Sequence, residues 1–182
     1  MSTFNVPTKN EVSENNQAIF AQLEKGLGFV PNLYASFAHS DTALENILAI
    51  GNAKTSFSAK EKEVINLAVS QVNECVYCLS AHTAIGKLNG FSDDEILELR
   101  AGNASFNDKL DALAKFARSV AINRGAATPE SIENFYNAGF TKGNLADAIL
   151  VVGEITITNY FHKTTEVTVD FPIAQTLALE TL

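Results

Sequence analysis

The apolar residues of this chain recur at intervals of three and four, the period of a helix with one buried face. Val12, Ile19, Phe20, Leu23 and Leu27 mark a first segment from about Glu11 to Gly26, and Gly26 and Gly28 stop it. Pro31 suits the first turn of a short helix through Leu33, Tyr34 and Phe37. Ser40 or Asp41 starts the next, with Leu44, Ile47, Leu48 and Ala49 on its apolar side. Ser58-Ala59-Lys60-Glu61 is a capping box, in which serine and glutamate side chains satisfy orphan amides. The segment it opens carries Val64, Ile65, Leu67, Ala68, Val69 and Val72, an arc wide enough to predict a largely buried helix. Asn73 reads as the cap of the following helix, which runs to about Asn89 and stops at Gly90. A second capping box, Ser92 to Glu95, opens a helix ending near Gly102. Another runs from about Asn107 to Arg124. Thr128 then caps a helix with Pro129 in its first turn and Gly139 as its stop.

The stretch opened by Thr141 is ambiguous between two periods. Val151 to Thr158 is rich in β-branched residues and alternates, as a strand does. Helix is favoured, because one strand among some nine helices has no partner. Pro172 begins a final short helix or tail. No linker interrupts the pattern, so the expected architecture is one all-α domain spanning residues 1–182.

Composition narrows the function. Hydrophobic residues make up 46% of 182, too many for a disordered chain. Thirteen basic against 21 acidic side chains leave a net charge of −8, which gives no electrostatic reason to bind nucleic acid. No apolar run reaches the roughly 18–20 residues of a membrane span. The first ten residues lack an apolar signal region, so a cytoplasmic protein is expected. The only two cysteines lie three residues apart, a pattern that points to redox chemistry or metal binding in a reducing compartment.

Those cysteines lie in Glu74-Cys75-Val76-Tyr77-Cys78-Leu79-Ser80-Ala81-His82. On a helix, Cys75, Cys78 and His82 share an arc of roughly 60°. The thiols can close a disulfide across the first turn, and Cys78 and His82 form an i,i+4 pair. A helix N-terminus and a nearby imidazole both favour a thiolate, which is the nucleophile toward peroxides and disulfides. A sulfenic acid on one cysteine would condense with the other thiol. If the helix before the pair packs antiparallel to it, Glu63 can point toward His82 and orient it. Blander readings stand beside these. The cysteines can be small buried hydrophobes. They can hold zinc with His82 and a fourth ligand from His39 or His162. Tyr77 reads as a packing or interface aromatic, His162 as a cation at a helix C-terminus, and His39 as a surface residue.

Glu63-x11-Cys75-x2-Cys78-x3-His82, set between Leu67-Ala68-Val69-Ser70 and Ala81-His82-Thr83, resembles the carboxymuconolactone decarboxylase-like superfamily, and within it the alkylhydroperoxidase D-type, peroxidase-related branch. The resemblance is strongest over about residues 44–100, in a core of about 44–125. Leu27-Gly28-Phe29-Val30-Pro31-Asn32-Leu33 adds to it. The resemblance implies a multi-helix fold assembled as trimers or hexamers and a hydroperoxide substrate, with no cofactor. It implies that Cys78 attacks the peroxide, Cys75 resolves it, and Glu63 and His82 relay protons. A thiol or lipoyl-type reductant then restores the pair. Tyr77 stands where the best-known peroxidase members carry a second histidine. Three alternatives remain: a thiol–disulfide oxidoreductase, a lactone decarboxylase (a type that generally lacks the cysteine pair), and a non-catalytic helical module.

Overall fold

Cap chemistry sets most of the helix boundaries. The computed structural model describes residues 4–177. It forms α1 (Glu14–Leu27), α2 (Asn32–Phe37), α3 (Ala43–Gly51), α4 (Ala59–Val72), α5 (Val76–Leu88), α6 (Asp93–Ala101), α7 (Asp108–Ile122), α8 (Pro129–Asn137) and α9 (Lys142–Thr165), after a 3-10 turn at Lys9–Glu11. No strand occurs among the described residues. Ser58 and Ser92 cap α4 and α6 with both halves of their capping boxes in place. Asn107 and Thr128 cap α7 and α8.

Several starts differ from expectation. Thr42, not Ser40 or Asp41, precedes α3, and Pro31 sits one position outside α2, as its N-cap. Of the two expectations for the stretch from Pro172, the tail is what is found, since residues 172–177 form no helix. Asn73 ends α4 rather than opening α5, whose cap is Cys75.

The β-branched stretch is helical throughout. Ala148, Val151, Val152, Ile155, Thr158, Asn159 and His162 are buried at three-and-four spacing, so the inward face follows a period of 3.6 rather than 2. Thr156 and Thr165 satisfy their hydroxyls on carbonyls one turn back.

Helix α4 is the central element. It packs against α5, α6, α7 and α9, and Val64, Ile65, Leu67, Ala68 and Val69 are sealed from solvent. Burying a side chain of this kind is worth about 1.5–3 kcal/mol, which outweighs the modest helix propensity of valine and isoleucine. Phe116, Phe135 and Phe140 stack between α7 and α8. The apolar cluster extends to Val167 in the segment after α9. That segment returns across α2 and α5, where the cysteines lie.

Candidate active site

The cysteines sit in a backbone junction. After Asn73, Glu74 adopts the left-handed conformation (φ 53°), a disfavoured one for a residue with a side chain. The Glu74 amide bonds the Gln71 carbonyl (3.1 Å) and the Cys75 amide bonds the Ser70 carbonyl (3.1 Å). These two bonds are the Schellman pattern that closes a helix. Cys75 is thereby placed as the N-cap of α5, where its sulfur accepts the Cys78 amide at 3.3 Å. One turn joins the end of α4 to the start of α5 and presents both thiols.

The sulfurs are free thiols 2.8 Å apart. Both are buried: Cys75 is fully enclosed and Cys78 is 3% exposed. Their environments differ. The Cys78 thiol does most to stabilise a Cys75 thiolate, burial opposes it, and His162 and the Cys78 amide add to the stabilisation. The Cys75 pKa falls to about 5. Burial and then the neighbouring Cys75 push Cys78 up, while Asn159 and Thr158 pull it partly back. The reduced pair therefore carries one negative charge, resting on Cys75, with the remaining proton between two sulfurs in hydrogen-bond contact.

Glu63 and His82 meet as the antiparallel packing of α4 and α5 requires. His82 Nδ1 lies 2.8 Å from Glu63 Oε2, and the Asn66 amide donates to Glu63 Oε1 at 3.1 Å. Burial disfavours charge on His82, but Glu63, by charge and hydrogen bond, with Glu154 and Cys75 behind it, raises its pKa above the ordinary value. His82 bonds Glu63 rather than Cys78, its i,i+4 neighbour. Tyr34, from α2, completes this side of the site. Burial first, then the charges of Glu154, Cys78 and Glu63, push its pKa up to about 12, so its phenol keeps its proton.

His162 lies at the cysteine pair, whereas the sequence favoured a structural role at a helix C-terminus and offered it otherwise only as a zinc ligand. It is buried beside Cys75, bonds the Val167 carbonyl through Nε2 (3.1 Å), and leaves Nδ1 without an oxygen or nitrogen partner. Its ring centroid lies 5.3 Å from that of Tyr77. His39 lies elsewhere, against Phe4 and the Asn5 carbonyl. Among the described residues no group of three or more His, Cys, Asp or Glu side chains is arranged to hold a metal.

Tyr77 is a packing aromatic with a fixed hydroxyl. It donates to Asp170 Oδ1 (2.6 Å) and accepts the Leu33 amide (3.1 Å). Asp170 Oδ2 accepts the Asn32 amide (2.7 Å), and the Asn32 side chain bonds the Thr168 carbonyl (3.0 Å). Phe171 packs edge-on between Tyr77 and Phe29, and the Ala174 amide bonds Ser80 (3.0 Å). Residues 166–174 thus form a strap across α5, tied to the Phe29 to Leu33 segment.

Comparison with known proteins bears on the fold. Residues 37–119 match the carboxymuconolactone decarboxylase family. YdfG, an uncharacterized protein of Bacillus subtilis (strain 168), is 20% identical over 104 residues, 56% of this chain and 71% of that one. An uncharacterized peroxidase-related protein of Ralstonia eutropha JMP134, with an alkylhydroperoxidase AhpD core, superposes with a TM-score of 0.83 at 20% identity, over 93% of this chain and 92% of that one. The debrominase Bmp8, solved with 2,3,4-tribromopyrrole, superposes with a TM-score of 0.77 at 13% identity, over 93% and 92%. Residues 37–119 are thus similar to the carboxymuconolactone decarboxylase family. The chain around them has the fold shared by peroxidase-related alkylhydroperoxidase D-like proteins.

Proposed function

We propose that this protein is a thiol-dependent peroxidase that reduces small hydroperoxides through Cys75 and Cys78. The observation that carries the reading is the pair of free sulfurs 2.8 Å apart, one stabilised as thiolate, beside the Glu63–His82 pair. Cys78 has the residual exposure and lies near Tyr34, whereas Cys75 is sealed against His162. Transfer of the shared proton from Cys78 to Cys75 makes Cys78 the attacking thiolate. Its sulfur takes the terminal peroxide oxygen, the O–O bond breaks, and the alkoxide leaves as alcohol after taking a proton. Cys75 then attacks the sulfenic acid, releases water and closes the disulfide.

Burial of both sulfurs favours a small peroxide over a protein disulfide as the oxidising substrate. A dithiol of lipoyl type supplies the two electrons that reopen the disulfide, in a reducing, cytoplasmic setting. Ile149, Leu150, Ile157 and Tyr160 leave an exposed apolar stripe on α9, which supports assembly into a trimer or hexamer.

The test is consumption of an organic hydroperoxide with dihydrolipoamide as reductant. The parent turns over, whereas C75S and C78S fall to background. Peroxide oxidation of C75S leaves a sulfenic acid on Cys78 that dimedone traps. Variants as active as the parent overturn the assignment.

A further inference from the structure

A small cavity lies between α3, α4 and α9, lined by Gly51, Thr55, Lys62, Asn66 and Glu154, with the half-exposed Ile50 and Leu150 at its rim. Its volume of about 50 Å³ suits one or a few water molecules. The lining mixes apolar side chains with polar ones; Lys62 is held by the Ala53 carbonyl (3.3 Å), but other polar groups are unspent. Asn66 is 6% exposed, and its Oδ1 has no hydrogen-bond partner, although its amide nitrogen holds Glu63. Thr55 Oγ1 is likewise buried and unpartnered. The Glu154 carboxyl makes no hydrogen bond or ion pair among the described residues. Gly51 passes close enough that a Cβ there would lie 3.5 Å from Glu154 Oε1. Asn66 is therefore the wall between this cavity and the Glu63–His82 pair.

The chemistry needs such a place. The reduced pair holds one thiolate and one thiol. Its oxidation, ROOH + S⁻/SH + H⁺ → ROH + H₂O + S–S, breaks one O–O bond, forms one S–S bond and moves two electrons from sulfur to oxygen. The two product oxygens take up two protons, of which the sulfurs supply only one. The other enters from outside in each turnover.

We propose that Glu154 is a positioning residue that passes this proton from the cavity to the Glu63–His82 pair. The inference rests on the peroxidase reading. The charged and titratable groups coupled to Glu154 are His82 of α5, Glu63 and Lys62 of α4, and Tyr34 of α2, while α3 faces it with the uncharged Ile50 and Gly51. Burial, reinforced by the Glu63 charge against the opposing pull of His82 and Lys62, raises the Glu154 pKa, so the carboxyl keeps its proton to higher pH than a free glutamate and serves as a donor.

The test is single-turnover oxidation of the prereduced protein by cumene hydroperoxide across pH, in the parent, E154Q and E154D. E154Q is expected to lower the rate constant at least about tenfold. It also removes the decline with rising pH that Glu154 titration imposes, and E154D restores that decline. A second measurement needs no turnover: the NMR titration of the His82 imidazole. E154Q lowers its midpoint and E154D retains it. An unchanged pH profile or an unchanged His82 midpoint in E154Q overturns the proposal. A parent that neither cumene hydroperoxide nor hydrogen peroxide oxidises overturns the peroxidase reading instead, and the imidazole titration then decides the role of Glu154.

Discussion

The Tyr77 hydroxyl donates to Asp170 across 2.6 Å and so fastens the helix bearing both sulfurs to a residue 93 positions later. The same carboxylate holds the Asn32 amide, so one side chain closes the strap over α5 and the start of α2 at once. Hydrogen bonds to a charged group contribute about 1.5–3 kcal/mol. D170A therefore opens the strap more often, and iodoacetamide modifies the thiols roughly 10- to 100-fold faster than in the parent. Equal rates would show that residues 166–174 do not control access.

His162 and the Cys78 thiol share the work of holding Cys75 as thiolate near pKa 5. In H162N the thiolate absorbance near 240 nm titrates with a midpoint displaced upward, toward the free-thiol value of about 8.5. A midpoint that stays put removes His162 from the site.

The Glu63–His82 pair makes stability depend on pH with a defined sign. Because the folded-state pKa of His82 is raised, the stability gained by protonating it is fully present below the unfolded value of about 6.5. It is lost as pH rises through the higher folded value. E63Q costs about 1–3 kcal/mol near neutral pH. The gap in melting temperature between parent and E63Q then narrows as pH rises above about 6.5, the ordinary imidazole value. A gap that widens over that range contradicts the ion pair.

The α9 stripe predicts association. Ile157 and Tyr160 are 45% and 58% exposed, on the same face as Ile149 and Leu150. Sedimentation at micromolar concentration is expected to give a trimer or hexamer for the parent and smaller species for I157E. A monomeric parent would count against assembly.

Local chemistry was legible where it acts within a few residues. Ser58, Ser92, Asn107 and Thr128 cap the helices expected of them, because a short polar side chain and an amide two or three residues later suffice. Glu63 and His82 were legible as partners only on the condition that α4 and α5 pack antiparallel, which their short connection allows but does not impose. Asn73 misled for a physical reason. Asparagine is a strong N-cap, but here it closes α4, and a left-handed glutamate hands the cap to Cys75. Asp170 was not legible as a site residue, and His162 was weighed beside the cysteines only as a zinc ligand, since nothing in their neighbourhoods encodes a contact some 90 positions away. Glu154 sat within a run whose β-branched residues left its period open, so its facing could not be read before the helix was known.

The strap also has a consequence in time. Translation proceeds from the N-terminus, so Cys75 and Cys78 leave the ribosome long before the residues that enclose them. Until Asp170 has been synthesised and has found Tyr77, the nascent chain carries its dithiol without the strap, and that part of its protection from oxidants in the surrounding fluid arrives only after α9 has been made.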